Sequence, residues 1–487
     1  MSNESKENEF ILANNKKIIY LIIAFLILAI ITVTARNDIT PDGLSADGQI
    51  MIGILILAAI LWITEPIPLP VTGLLIIILQ PMLGIIHPNI VFSSFGNQAV
   101  FFLIGAFIIA AAIERVGLHK RIALIFLSRI DQNPRLFTLG IMFSCAFLSF
   151  VMPEHGVAAL FLPIVVSILV ALKLKPRQSN FAKISLLSIA YGCSIGSLGT
   201  LIGGARNPLA LGFISEVAPE LTPSFIDWMI YSMPIVLISL PLVWLVLQFS
   251  FPIELKDIKD AHIEIQTQVK ESGKISRQEI TVLTIMGFTV FMWIAFSHNE
   301  YIGLAIIAIM GAILMFISGC IKWKDIEKRV PWGVILLYGG AITLGIGMQS
   351  QQLGGTGAGT WIAAQIFNTA GVNIYIVILA MIIFTILLTN IMSNVGAVAI
   401  LLPIGMAIAT RLEISPLLTT LIIALSGGLA FMFVIATPGN AITYSAGYYS
   451  SKDLLKAGIL ANIICIAIVF LVAIVYWMGV LNLGGVS

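Results

Sequence analysis

Two short polar segments, 240 residues apart, interrupt an otherwise apolar chain, and their residue types could hold a small ion. The first is Pro153-Glu154-His155-Gly156 and the second is Ser393-Asn394-Val395-Gly396. From Gly156 to Ile164 and from Gly396 to Ile404, five of nine residues are identical, with Pro163 and Pro403 in register. Two further breaks also match: Ile202-Gly203-Gly204-Ala205-Arg206-Asn207-Pro208 and Ala436-Thr437-Pro438-Gly439-Asn440. Asn207 and Asn440 fall at corresponding places. Glycine adopts backbone that other residues avoid, and proline lacks a helix donor, so neither helix is expected to run on. A helix that stops inside a membrane presents N–H groups, which suit an anion, or C=O groups, which suit a cation. Irregular polar backbone survives at that depth only where it is buried in protein or lines a cavity.

Glu154, His155 and Arg206 are the unusual residues within this apolar frame. A charge at the bilayer centre costs about 2.5–3.5 kcal/mol on the gentlest scale. Such groups are functional or are paired; a buried Glu154–Arg206 ion pair and a hydrogen-bonded core histidine are the plainer readings. Glu65, Glu114, Glu216 and His119 lie at span ends and read as interfacial anchors. The four cysteines, Cys145, Cys193, Cys320 and Cys465, sit in apolar runs without paired spacing and read as core residues. No HExxH, GxSxG or Walker A pattern occurs, so neither an enzyme, a resident metal nor a cofactor is expected. Gly105 and Gly339-Gly340 read as points of close helix packing.

The elements that must position these residues are membrane spans. The chain has 487 residues, 59% hydrophobic and only 10% charged, whereas soluble domains carry about 25% charged residues. An all-α integral membrane protein is expected, with about eleven spans, two re-entrant hairpins and two broken helices. Residues 1–46 form a tail and an extra first span. Residues 47–250 form a first repeat, with its hairpin at 135–172 and its broken helix at 184–214. Residues 251–278 read as a soluble cytoplasmic linker. Residues 279–487 form a second repeat, with its hairpin at 374–410 and its broken helix at 416–447. With the N-terminus inside and the C-terminus outside, all of the 26 Lys and Arg except Arg36, Arg411 and Arg206 fall on the cytoplasmic side. That count makes the repeats inverted. Short or interrupted segments at matching places in two inverted halves point to a carrier's binding site.

At these residues the chain resembles the divalent anion/sodium symporter family of dicarboxylate and citrate transporters, over about Gln49 to Met478. That family carries a Ser-Asn-Thr triplet at each hairpin tip, ten residues before a proline, and a Pro- and Asn-containing loop in each broken helix. Ser393-Asn394 with Pro403, and Ala436 to Asn440, fit the second half. Pro163 ten residues after Pro153, and Gly199-Thr200-Leu201-Ile202-Gly203 before Asn207, keep the frame of the first. The resemblance implies substrate contact by His155, Ser393, Asn394, Thr437, Asn207 and Asn440. It implies tip and break backbone at Pro153, Gly156, Gly203, Gly204, Val395, Gly396, Pro438 and Gly439. It also implies a homodimer in the plasma (inner) membrane with an elevator-like moving part.

The departures from the pattern shape the expected function. Pro153-Glu154-His155 replaces the first triplet and Val395 ends the second. The resemblance implies a cation position at each hairpin tip, held by the triplet's serine and asparagine; the first has lost both here, while Arg206 enters the loop beside it. Arg206, braced by Glu154, is expected to stand where sodium would be, with His155 and Asn394 meeting the two substrate carboxylates. A dianion entering a negative-inside cell works against about 4.6 kcal/mol per 100 mV. A fixed arginine neutralises the substrate but supplies no gradient. The expectation is therefore sodium-independent exchange of C4 or C5 dicarboxylates such as succinate, malate or 2-oxoglutarate. Sodium- or proton-coupled symport is the alternative, and an anion channel a remoter one. Nucleic acid is not an expected partner.

Overall fold

Short apolar runs of helix-forming residues, closed by Ser, Asn and Pro at their starts, make the chain helical throughout. The computed structural model describes residues 3–485 except 298, 300, 350, 352–353 and 370–372, and among these there is no strand. The first helix, α1 (Asn3–Arg36), runs unbroken through the polar tail and the extra first span. The first half continues with α2 (Ala46–Thr64), α3 (Leu69–Met82), α4 (Pro88–Ser93), α5 (Gln98–Val116) and α6 (Leu118–Ser128). Next come α7 (Pro134–Leu148), α8 (Glu154–Ala171), α9 (Asn180–Gly196), α10 (Arg206–Val217) and α11 (Phe225–Ser250). After α12 (Lys259–Glu271), the second half holds α13 (Arg277–Ala295), α14 (Leu304–Ile317), α15 (Trp323–Arg329), α16 (Trp332–Met348) and α17 (Ala358–Thr369). It ends with α18 (Ile374–Ile391), α19 (Asn394–Leu412), α20 (Pro416–Ser426), α21 (Pro438–Ser445) and α22 (Ser451–Leu471).

Among the described residues, nine helices are long and apolar enough to cross a bilayer, or ten if α15 and α16, bent by 63°, form one span. The sequence led us to expect eleven spans. The difference has a geometric cause. Helices α3 and α14 have 14 residues each, about 21 Å at 1.5 Å per residue, and the two broken helices each divide into short pieces. Conversely, α8, α18 and α19, which the sequence assigns to hairpins, are long enough to count as spans.

The two halves pack in a matched way. Helix α5 lies along α14, and α3 lies along α16. Glycine sets both approaches, as the sequence indicated. A Cβ on Gly105 would meet the backbone of Ala308 at 2.5 Å, and one on Gly340 would meet Gly73 Cα at 2.4 Å. Such contacts let helices associate where lipid gives no hydrophobic drive. Gly340→Val is therefore expected to cut the yield of folded protein several-fold in detergent size-exclusion. Gly287→Val, on the open face of α13 where a Cβ meets nothing within 4 Å, should be silent.

The stretch read as a soluble linker is instead a docked helix. Ala261 and Ile265 of α12 are buried, and Gln268 Nε2 donates to Ser167 Oγ of α8 at 2.7 Å. Arg121 of α6 clamps its far end, donating to the carbonyls of Ser272 and Gly273 at 2.8 Å each and to Glu279 Oε1 at 2.6 Å. Few apolar residues are needed when one guanidinium satisfies a whole turn.

Candidate functional site

The two breaks are built alike, and asparagine is the device. Asn207 Nδ2 donates to the carbonyls of Ser197 (2.8 Å) and Thr200 (2.7 Å), ten and seven residues before it. Asn440 Nδ2 donates to Ala430 (3.2 Å) and Phe433 (2.9 Å), again ten and seven residues before. Each amide thus satisfies two carbonyls orphaned where its helix stops. Both asparagines are fully buried, and neither is among the residues lining the cavity described below. The sequence had assigned them to substrate contact. The structure gives their donors to the backbone instead.

The glycines of the first break are also there for a different reason than expected. Neither Gly203 nor Gly204 takes a left-handed φ. Space is the requirement: a Cβ on Gly203 would meet Ser149 O at 2.4 Å, where the break crosses the end of α7. The Glu154 amide then donates to Gly203 O at 3.3 Å, tying the α7–α8 tip to the break. The halves interlock as well. Helix α10 packs on α19 and α20, and α21 packs on α8 and α9.

This interlock brings the N-termini of four helices to one cavity of about 630 Å³. Its wall includes Pro153, Glu154 and His155 at the start of α8, and Gly204, Ala205 and Arg206 at the start of α10. It includes Ser393, Asn394 and Val395 at the start of α19, and Thr437 and Pro438 at the start of α21. Each N-terminus carries roughly half a positive charge and unsatisfied N–H groups, so their convergence favours an anion. In the second half the tips are capped. Ser393 Oγ accepts from Gly396 N (3.1 Å) and Thr437 Oγ1 accepts from Asn440 N (3.1 Å), which leaves both hydroxyl protons free to donate. In the first half neither Pro153 nor Ala205 supplies a side-chain cap. The His155 ring stands exposed in the cavity, whereas the Asn394 amide nitrogen is buried and has no hydrogen-bond partner among the described residues.

Arg206 and Glu154 are 1% and 8% exposed. Arg206 Nη1 lies 3.8 Å from Glu154 Oε2, and Ser197 joins them more closely. Arg206 Nη2 donates to Ser197 Oγ at 2.7 Å, and the one Ser197 hydroxyl proton is shared between Glu154 Oε2 at 2.9 Å and the Ser194 carbonyl at 2.7 Å. The guanidinium also lies against the second broken helix, where a Cβ on Gly428 would fall 2.1 Å from Nη2. In the second half, the matching tip holds an oxygen cluster. Thr389 Oγ1 is 2.8 Å from both Asn394 Oδ1 and the Gly427 carbonyl. One hydroxyl proton serves two acceptors there. With the Asn394 amide in this sense the trio is one donor short, which a cation would supply; reversed, the amide would close the trio by itself.

The sequence matches the sodium:sulfate symporter transmembrane region over residues 15–483. The chain belongs to that family. It is 30% identical over 457 residues to a sodium-dependent dicarboxylate transporter of Staphylococcus saprophyticus, covering 89% of this chain and 86% of the relative. It is 31% identical over 469 residues to the protein of the same name from Staphylococcus aureus, covering 91% and 88%. These agree with the resemblance drawn from the hairpin and helix-break motifs. They lend nothing to a sodium-independent branch, since both relatives are named sodium-dependent. Among solved structures, the Alcanivorax borkumensis YdaH transporter aligns with a TM-score of 0.51 at 12% identity, over 81% of this chain and 88% of that one. Neisseria gonorrhoeae MtrF aligns at 0.51 and 11%, over 79% and 82%. That likeness is one of fold. Family membership makes the chain a transport protein and not an enzyme.

Within this family member, the cavity gathers His155, Ser393, Asn394, Thr437, Arg206 and Glu154. Of the expected backbone positions, Pro153, Gly203, Gly204, Val395 and Pro438 line it, and Gly156 lines an adjoining cavity. Gly396 and Gly439 are buried behind the tips. Three groups read as interfacial anchors stand elsewhere. Glu65, which ends α2 at a φ of 45°, lines the site itself, and Glu114 and His119 line the adjoining cavity. Thr389 was not singled out from the sequence. Its signal was its place four residues before Ser393.

Proposed function

We propose that the chain carries C4 or C5 dicarboxylates across the plasma membrane by alternating access. The observation that supports this most is the convergence of four helix N-termini on one cavity. A dicarboxylate there would find the His155 ring and the Asn394 amide as donors for its two ends, with the Ser393 and Thr437 hydroxyls beside them. The hairpins and broken helices would move together, as their interlock suggests, against the glycine-locked α3–α16 and α5–α14 pairs. The homodimer is carried over from the resemblance.

The coupling we favour is symport with a cation held in the second half, by Thr389, Asn394 and the Gly427 carbonyl. The sequence reading cast Arg206, braced by Glu154, as a built-in cation that neutralises the substrate, and that was the electrostatic ground for exchange. Paired with Glu154, Arg206 adds no net charge, so a dianion would enter uncompensated. A co-transported cation supplies the missing charge, in keeping with the sodium-dependent names of the relatives. Exchange is the second reading, and what supports it is the buried Arg206 guanidinium beside Glu154, Ser197 and Gly428, near the tip where the resemblance places a first cation.

Labelled succinate uptake into proteoliposomes separates the two. Uptake into empty vesicles that requires sodium is the expected result. Uptake only into succinate-loaded vesicles, indifferent to replacing sodium with choline, would overturn symport in favour of exchange. Uptake in neither case would overturn dicarboxylate transport itself.

A further inference from the structure

A second cavity of about 580 Å³ adjoins the first and shares Phe107, Pro153, His155 and Pro331 with it. One wall is the α8 tip; the other carries Glu114, His119, Lys328 and Arg329. Arg329 Nη1 is held by Glu114 Oε1 at 2.6 Å, with both side chains part-exposed. Lys328 is exposed and meets no acid among the described residues. With the histidines neutral, the two cations and one carboxylate give this chamber a net positive charge.

We propose that this chamber is a separate anion station, where a dicarboxylate docks on Lys328 and Arg329 before passing His155 into the central site. The proposal rests on the dicarboxylate reading above. A charged, low-dielectric cleft raises the local concentration of its counter-ion and the rate at which that ion arrives. Glu114 competes with the substrate for Arg329, so an incoming carboxylate must displace it. Arg329 offers a planar fork that matches a carboxylate, and Lys328 a point charge for the other end. The station belongs to one face only. By the Lys/Arg bias of the loops that face is the cytoplasmic one.

Charge exchange at one position tests it. The four native cysteines are all buried, so Lys328→Cys gives a single reactive thiol to membrane-impermeant methanethiosulfonates. The reagent reaches only carriers whose Lys328 face points outward. On those, a negatively charged adduct is expected to raise the succinate KM by roughly tenfold and a positively charged adduct to restore it, with kcat unchanged. Glu114→Gln should lower the KM from the same face and leave the other face alone. Equal KM values with either adduct would overturn the station while leaving dicarboxylate transport standing. A wild-type carrier inert toward succinate would overturn both.

Discussion

Arg206→Met is expected to give a carrier that folds poorly, and adding Glu154→Gln is expected to restore both the fold and sodium-driven uptake. The single change leaves the Glu154 carboxylate at 8% exposure with Ser197 as its remaining side-chain partner. Breaking a buried pair from one side costs about 3–5 kcal/mol, because the surviving charge is uncompensated. The double change removes both charges, and a neutral pair of similar volume is often tolerated without loss. Monodisperse yield in detergent reads the fold, and sodium-dependent succinate uptake reads the function. The outcome also decides what the arginine is for. If the double variant folds but carries nothing, Arg206 acts as a built-in cation and exchange is the better reading.

Asn394→Ala is expected to abolish uptake with the fold intact, and Thr389→Val to weaken sodium alone. Asn394 is the one side chain shared by both proposed functions. Its nitrogen is buried without a partner among the described residues, while its oxygen faces Thr389. Losing both roles should lower kcat/KM by at least about 100-fold, equivalent to about 2.7 kcal/mol. Thr389 lies behind it, 2.8 Å from the Gly427 carbonyl and away from the cavity wall. Replacing its hydroxyl should raise the sodium concentration for half-maximal uptake several-fold. The succinate KM at saturating sodium should stay near its original value. A succinate KM that rises as much as the sodium requirement would remove Thr389 from the cation site.

The site's main parts were legible because membrane chemistry forbids them elsewhere. Polar residues and breaks inside apolar runs could only line or build a cavity, and their matched spacing pointed to two related halves. In the structure both break asparagines donate to carbonyls ten and seven residues back. The division of labour among the polar groups was not legible. Spacing placed Asn207 and Asn440 at the breaks, but not which way their amides turn. Ser197 is one small residue among many, and only the fold shows it bridging Arg206 to Glu154. Glu65, Glu114 and His119 sit at helix ends, and sequence does not distinguish an end that meets lipid headgroups from one that meets an internal chamber. The docking of α12 escaped notice because a clamp of backbone carbonyls on Arg121 leaves no hydrophobic signature.

The seating of the Arg206 guanidinium on Gly428 limits which residues the two broken helices can carry together. Any side chain there would push the guanidinium off Ser197 and Glu154, since a Cβ falls 2.1 Å from Arg206 Nη2. The arginine in its present seat therefore requires glycine opposite. Among relatives of this family, arginine at the place of Arg206 should not coexist with a side chain at the place of Gly428.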